Sequence, residues 1–351
     1  MAYRFCLVII KSIMEKEEFA LKKMINKPDD VVEEMLQGMV AAHPEYVKRV
    51  DGCDVVVRAG GSQGKVALVS GGGSGHEPAH GGYVGKGMLD AAVAGAMFTS
   101  PTPDQVYEAI KACDGGKGVL LVIKNYTGDV MNFEMAAEMA ADEGITVEQV
   151  VVNDDVAVEN STWTTGRRGI AGTIFVHKIA GACAEEGGDL QAVKAVAEKV
   201  IANVRTMGMA IAPCTVPAAG KPSFELGERE VEIGMGIHGE PGTHREEIRT
   251  VSETTDTLLD KIFAEGIYHE GDEVAVMVNG LGGTPLQELY LANLRVSQVL
   301  AEKKITVAKT LVGNFMTSID MAGYSVSLLK LDGKLKKYLA APADTPAFVQ
   351  A

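Results

Sequence analysis

The chain has 351 residues, 46% of them hydrophobic and 23% charged, which is enough to bury a sizeable core, and its formal charge of −14 excludes the broadly basic surface that nucleic acid or an anionic membrane would need. No apolar run reaches the length of a membrane span, and the five cysteines, Cys6, Cys53, Cys113, Cys183 and Cys214, are scattered without a C-x-x-C pair or zinc spacing. These features describe an ordinary globular protein, expected to be cytoplasmic with reduced thiols. The Phe5–Ile10 patch is too short for a signal-peptide core, so residues 1–21 read as an N-terminal extension of little importance to the fold.

In chain order, Asp29–Ala42 carries apolar residues at helical spacing behind an aspartate start signal and predicts an amphipathic helix. Val66–Val69 is a short continuous apolar run, the pattern of a strand covered on both faces, and it leads into a glycine-rich loop that presents His76 and Glu77. Gly95–Asp104 reads as an irregular connection fixed by two prolines, with Asp104 opening a helix through Ile110. Gly118–Lys124 predicts a second buried strand, Asn125–Asp129 a loop, Val130–Glu143 a helix and Val147–Asn153 another strand, so a parallel βαβ sheet follows. Ile170–Glu186 and Leu190–Met207 read as helices, and the texture changes near Gly208 to short glycine-interrupted strands. Helices at Thr254–Phe263 and Leu286–Glu302 and strands at Glu273–Val278, Thr306–Val312 and Ser325–Leu331 complete the chain. The expectation is two α/β domains after the extension. Residues 22–207 form a three-layer sandwich around a mainly parallel sheet, and 208–351 a smaller mixed-sheet domain.

Three loops hold the candidate chemistry. His76 either starts a helix, with Glu77 complementing its dipole, or serves a ligand site at the end of a strand. Asp129 is either an N-cap or a proton acceptor, and Lys124 either a snorkelling lysine or a cation that orients a polar substrate beside it. His238, framed by Gly236 and Gly239, could be a nucleophile if one ring nitrogen is held as a donor. Nucleotide loops are absent: Gly81–Lys86 is followed by Gly87 instead of a hydroxyl residue, and His76 occupies the third glycine position of the dinucleotide pattern. That argues against a nucleotide-dependent dehydrogenase. His80 stands four residues after His76, but the intervening Pro78 spoils a two-ligand helix face, and no metal is expected. His43, His177, His244 and His269 read as surface or core residues.

Quoted together, SGGGSGHEPAHGGYVGKG, FTSPTPDQV, VIKNYTGDVMNFE, TTGRRGIAGT, CTVPAAGKPSF and GIHGEPG make the chain from about Lys22 to Phe348 resemble the dihydroxyacetone kinase substrate-binding subunits. The resemblance implies a ketose held covalently as a hemiaminal on His238. It also implies an acid/base pair of His76 and Asp129, and a substrate site made by Gly73, Ser74, Gly75, His76 and Lys124 around them. A lysine amine would lose water to give a Schiff base, whereas an imidazole adduct has no second N–H and stops at the hemiaminal. Such an anchor demands a carbonyl, so a polyol is rejected.

Family members that use ATP directly carry a nucleotide-binding domain after this one. With the sequence ending at Ala351, ADP or ATP and magnesium are expected on a partner kinase subunit, with a phosphohistidine protein as indirect donor, a homodimer of this chain, and a place in glycerol metabolism. The alternative is a ketose-sensing regulatory or coactivator paralogue without turnover. Two departures stand out: the segment before Lys22, with Met14 or Met24 as other possible starts, and a connection at Ile267–Asp272 shorter than in some members.

Overall fold

The computed structural model describes residues 22–159 and 164–351; the expected N-terminal extension, with the Phe5–Ile10 patch and Cys6, lies outside the described residues. The first sheet contains β1 (Val47–Arg49), β2 (Val55–Arg58), β3 (Ala67–Ser74), β4 (Ala91–Met97), β5 (Val119–Lys124) and β6 (Val147–Val152), in the order β1-β2-β4-β3-β5-β6. From β4 to β6 neighbouring strands are parallel, while β1 and β2 form an antiparallel edge. Every residue of β5 is buried, as expected of a strand with helices on both faces.

Around this sheet lie α1 (Val31–Ala42), α2 (Pro103–Cys113), α3 (Thr127–Asp142), α4 (Thr173–Glu185) and α5 (Leu190–Asn203). Ile110 of α2 and Phe133 of α3 pack on one face with Val69 and Leu121; α4 and α5 cover the other through Ile179, Val193 and Val196, against Leu68, Leu120 and Val122.

The second sheet is β7 (Val204–Ala212), β8 (Glu230–Ile233), β9 (His244–Glu247), β10 (Glu273–Gly280), β11 (Thr306–Gly313) and β12 (Ala322–Leu331), in the order β11-β10-β12-β7-β8-β9. Its outer face is covered by α6 (Val251–Phe263), opened by a reciprocal Thr250–Glu253 capping box, and α7 (Leu286–Glu302). Its inner face, through Ala275, Met277 and Leu329, joins the same core as α4 and α5. The layers therefore run helices, sheet, helices, sheet, helices. Finally α8 (Gly333–Ala340) and the hairpin β13 (Ala343–Thr345) and β14 (Phe348–Gln350) return to the first sheet's side, where Tyr338 and Phe348 join the core with Leu36 and Tyr83.

The two-sheet α/β architecture agrees with the sequence reading, but several elements differ. Gly71–Gly73 are not a loop: they are the second half of β3, paired with β4 from Gly71↔Val93 to Gly73↔Gly95. The segment from Gly95 is not irregular at once, because β4 runs to Met97 as β3's partner. The helix expected to Met207 ends at Asn203; Val204, Thr206 and Met207 pair with β12, so the expected change at Gly208 falls inside β7. His76 starts no α-helix, since the chain turns through Glu77–His80 into a short 3-10 turn at Gly81–Tyr83.

Close strand packing dictates those glycines. A Cβ on Gly71 would lie 2.5 Å from the Val93 carbonyl oxygen, an immovable backbone atom, whereas a Cβ on Gly60 meets nothing within 4 Å. Gly71→Ala is accordingly expected to lower urea-derived stability by about 1–3 kcal/mol, the usual cost of overpacking, with Gly60→Ala near wild type; equal stabilities for the two variants would contradict this packing.

Candidate active site

β3 and β5 deliver two of the three expected loops from their carboxyl ends. β3 lies between β4 on one side and β5 on the other, so the crevice beside it is a topological switch point. The third loop comes from the other sheet, where β8 leads to Gly236–Gly242. A cleft of ≈ 450 Å³ opens where they meet, lined by Gly73, Phe98, Tyr126, Asp129, Asn132 and His238 among others.

His76 follows Gly75, whose φ of 108° turns the chain out of β3. The loop between β11 and β12 then clamps it: Ile319 N donates to Gly75 O at 2.7 Å and Thr317 N to His76 O at 3.1 Å. The ring's Nδ1 lies 2.7 Å from the Thr317 carbonyl oxygen, which can only accept, so Nδ1 carries the proton and Nε2 keeps its lone pair. Nε2 has no protein partner. Burial, then the neighbouring charges at His238 and Lys124, push the His76 ring well below the ordinary histidine value and keep it neutral. It stacks on Phe98 at 5.2 Å between centroids and meets the His238 ring edge-on at 4.8 Å.

His238 sits in a tight turn in which Gly239 takes a φ of 80°. Glu240 grips it twice, accepting from the His238 backbone N at 2.8 Å and from ring Nδ1 at 3.1 Å. Burial alone would raise the Glu240 carboxyl, but the hydrogen bond and charge at His238, with Arg168 behind, outweigh it and hold it at about 2. An ionised carboxylate only accepts, so Nδ1 of His238 carries a proton, and in the neutral form of the ring Nε2 is the nitrogen with a lone pair. The His238 side chain keeps 18% of its surface exposed while His76 is fully buried, so of the two rings His238 is the accessible one. Tyr126 packs edge-on to it at 4.6 Å. Arg168 of the TTGRRG segment is buried behind this turn, donating to Asp155 Oδ2 and to Gly234 O, each at 2.7 Å.

Lys124 does not snorkel; it is 1% exposed, with Nζ donating to Gly71 O at 3.1 Å and standing 3.5 Å from Asp129 Oδ2. Asp129 is not an N-cap. The α3 helix starts earlier, with Tyr126 in the cap position, and this places Asp129 in the first turn, buried, with Oδ1 lacking a hydrogen-bond partner. Gly73, His76, Lys124, Asp129 and His238 thus converge. Ser74 and Gly75 are engaged in holding the loop: Ser74 Oγ donates to Gly95 O at 2.7 Å, and Gly75 N to the Glu77 carboxylate at 3.1 Å. Among the described residues no group of three or more His, Cys, Asp or Glu is placed to hold a metal.

Sequence reasoning missed Glu240, Phe98, Tyr126, Arg168 and Thr317. Glu240 had a local signal, a carboxylate two residues after the histidine in HGEP. Thr317 had none, because its carbonyl reaches His76 across 241 positions. His177, read as a surface or core residue without a partner, is fully buried and bonded to His80.

Comparison with known proteins adds an independent line. The Dak1 domain family matches residues 37–347. A Listeria innocua protein described as the dihydroxyacetone-binding subunit DhaK of a PTS-dependent dihydroxyacetone kinase is 56% identical over 329 residues, covering 93% of this chain and 100% of that protein. Its Lactococcus lactis counterpart is 53% identical, covering 89% and 94%. Among solved structures, the dihydroxyacetone kinase of C. freundii in complex with AMP-PNP and Mg2+ superposes with a TM-score of 0.87 at 35% identity over 94% of this chain, which spans 61% of that longer protein. A dihydroxyacetone kinase operon co-activator superposes with a TM-score of 0.85 at 38% identity, over 91% of this chain and 98% of its own.

The buried rings have a thermodynamic consequence. Burial first, then the charge on Lys124, depress both His80 and His177, the latter from 6.5 to about 3. Below the ordinary histidine value the unfolded chain binds protons that the folded chain refuses, so stability is full above pH 6.5 and falls as pH drops towards the folded values. In His177→Leu the slope of unfolding free energy between about pH 6 and 4 is expected to lessen by about 1.4 kcal/mol per pH unit, one proton's worth. Urea titrations across that range measure it, and an unaltered slope would refute the assignment.

Proposed function

The chain belongs to the family of dihydroxyacetone kinase substrate-binding subunits, of the type that depends on the phosphotransferase system, and from that membership we propose that it holds dihydroxyacetone covalently on His238 while a partner subunit donates the phosphoryl group. The observation that carries the reading is the Glu240 carboxylate fixed on Nδ1 of His238, which leaves Nε2 as the nucleophile facing the cleft.

Nε2 attacks the ketose carbonyl carbon. As the C–N bond forms, the carbonyl π pair moves to oxygen, which takes a proton from water and releases hydroxide to solvent, and the charge left on the ring is paired with Glu240. The bonded nitrogen carries no hydrogen, so the adduct stops at the hemiaminal. His76, limited to accepting at Nε2, is suited to receive the adduct's new hydroxyl and orient it. Asp129 Oδ1 takes the proton of the terminal hydroxyl as that oxygen attacks phosphorus. The donor's own phosphorus–oxygen bond breaks in that step, and reversal of the addition, the adduct's hydroxyl giving up its proton as the C–N pair returns to Nε2, restores the carbonyl and frees dihydroxyacetone phosphate. The cleft lies over the N-terminus of α3, whose positive dipole end favours an incoming phosphoryl group.

The donor is a nucleotide-binding kinase subunit of the DhaL kind, carrying ADP or ATP with magnesium and recharged by a phosphohistidine protein of the DhaM kind. Exposed Tyr290, Leu291 and Leu294 on α7 offer an apolar surface for a second copy of the chain. Likeness to an operon co-activator supports a second reading, ketose sensing without turnover. Phosphate transfer with the partner subunit separates the two.

Dihydroxyacetone is expected to add one ketose mass to the wild-type protein and none to His238→Ala. Asp129→Asn is expected to keep the adduct and lose turnover by about 10²–10⁴, the span of general-base catalysis. Glu240→Gln removes the charge paired with the ring and is expected to slow adduct formation more than tenfold. Intact-protein mass spectrometry and coupled assays measure these; an adduct persisting in His238→Ala would sink the hemiaminal assignment.

A further inference from the structure

Beneath the cleft runs a row of buried groups that the proposed reaction does not use. Nζ of Lys124 lies 3.1 Å from Nε2 of His80, and Nδ1 of His80 lies 2.9 Å from Nε2 of His177. His80 is 6% exposed and His177 not at all. An ammonium has three donors and no acceptor, and Lys124 meets three acceptors: Gly71 O, His80 Nε2 and Asp129 Oδ2. His80 must therefore present a lone pair at Nε2.

Its other nitrogen is fixed independently. The Ser70 hydroxyl donates to Val122 O at 2.7 Å and so offers only lone pairs to His80 Nδ1, 3.4 Å away. Nδ1 of His80 carries the proton, and His177 Nε2 accepts it. The proton of His177 is then on Nδ1, which is buried without a hydrogen-bond partner, an expense a purely structural core would avoid by placing an apolar side chain there. A neutral acceptor at His80 suits this position. A carboxylate would compete with Asp129 for the cation, and an apolar residue would leave one N–H of a buried ammonium unsatisfied.

We propose that His80, its tautomer set by Ser70 and His177, is a positioning residue that accepts from the Lys124 ammonium and keeps it aimed at Asp129. Asp129 is thereby held as the carboxylate that accepts the proton of the attacking hydroxyl. The inference rests on the role proposed above for Asp129. The titratable groups facing Lys124 are Asp129 from α3, His76 and His80 from the turn after β3, and His177 from α4.

The tautomer is read without substrate. In ¹⁵N spectra of the free protein His80 is expected to be protonated at Nδ1, and protonation at Nε2 would overturn the proposal. With the nucleotide-bearing partner subunit, His80→Leu is expected to keep the ketose adduct on His238 and to lower kcat at least tenfold with little change in KM. The ammonium loses an acceptor and is no longer held on Asp129, so the loss falls on turnover and not on binding.

His80→Gln, whose amide oxygen can accept from Lys124, is expected to restore most of kcat. A His80→Leu protein that forms the adduct and keeps the wild-type kcat defeats the proposal. Should that variant not fold, His80→Gln decides in its place: a folded His80→Gln protein that forms the adduct and still loses tenfold in kcat is equally fatal. Absence of any adduct on wild type would count against the hemiaminal reading alone, leaving the tautomer result to judge this one.

Discussion

A cation with almost no access to water must be given its acceptors by the protein, and the buried ammonium of Lys124 governs how the first sheet is built around the cleft. It reaches across to β3, where it bonds the Gly71 carbonyl oxygen, and its Nζ occupies the space that a side chain on Gly72 would fill. The glycines of β3 therefore do two jobs. They let β4 pair closely on one side, and they leave a trough on the face where Lys124 lies beside Asp129. Replacing that trough with ordinary strand residues would remove the cation, and with it the charge that steadies the carboxylate at the start of α3.

Two imidazoles stand 4.8 Å apart at the cleft and are given different characters by their supports. A neutral carbonyl oxygen holds His76, an ionised carboxylate holds His238. The first arrangement keeps a buried ring uncharged and accepting, and the second sets a carboxylate against any positive charge its ring acquires. Each support comes from the second sheet, while Lys124, Asp129 and Phe98 come from the first. The chemistry thus depends on the fit between the sheets, secured through the shared core around α4 and α5.

Much of this was legible in the sequence. Helices with a clear 3.6-residue period, such as α7, lay where the pattern put them, and VLLVIK declared a strand buried on both faces. Glycine runs misled, because a residue without a side chain signals a loop in isolation but a close strand contact once β4 is alongside. Short β1 and β2 carry too few residues for a periodic signal, and β7 follows α5 so directly that its first residues extended the helical pattern. In the site, His76, Lys124, Asp129 and His238 were singled out because their side chains are of types that carry chemistry. Thr317 acts through its carbonyl, which any residue possesses, and so left no mark.

The return of α8 and the last hairpin to the first sheet has a bearing on synthesis. Tyr338, Leu339 and Phe348 fill the same core as Leu36, Tyr83 and Met88, and Asp344 is bound by the Tyr46 hydroxyl at 2.8 Å. On the ribosome, the amino-terminal sheet can be complete in sequence while its hydrophobic interior still lacks a wall. The nascent chain must carry that open surface until translation has passed residue 348, a span in which a chaperone has its natural place.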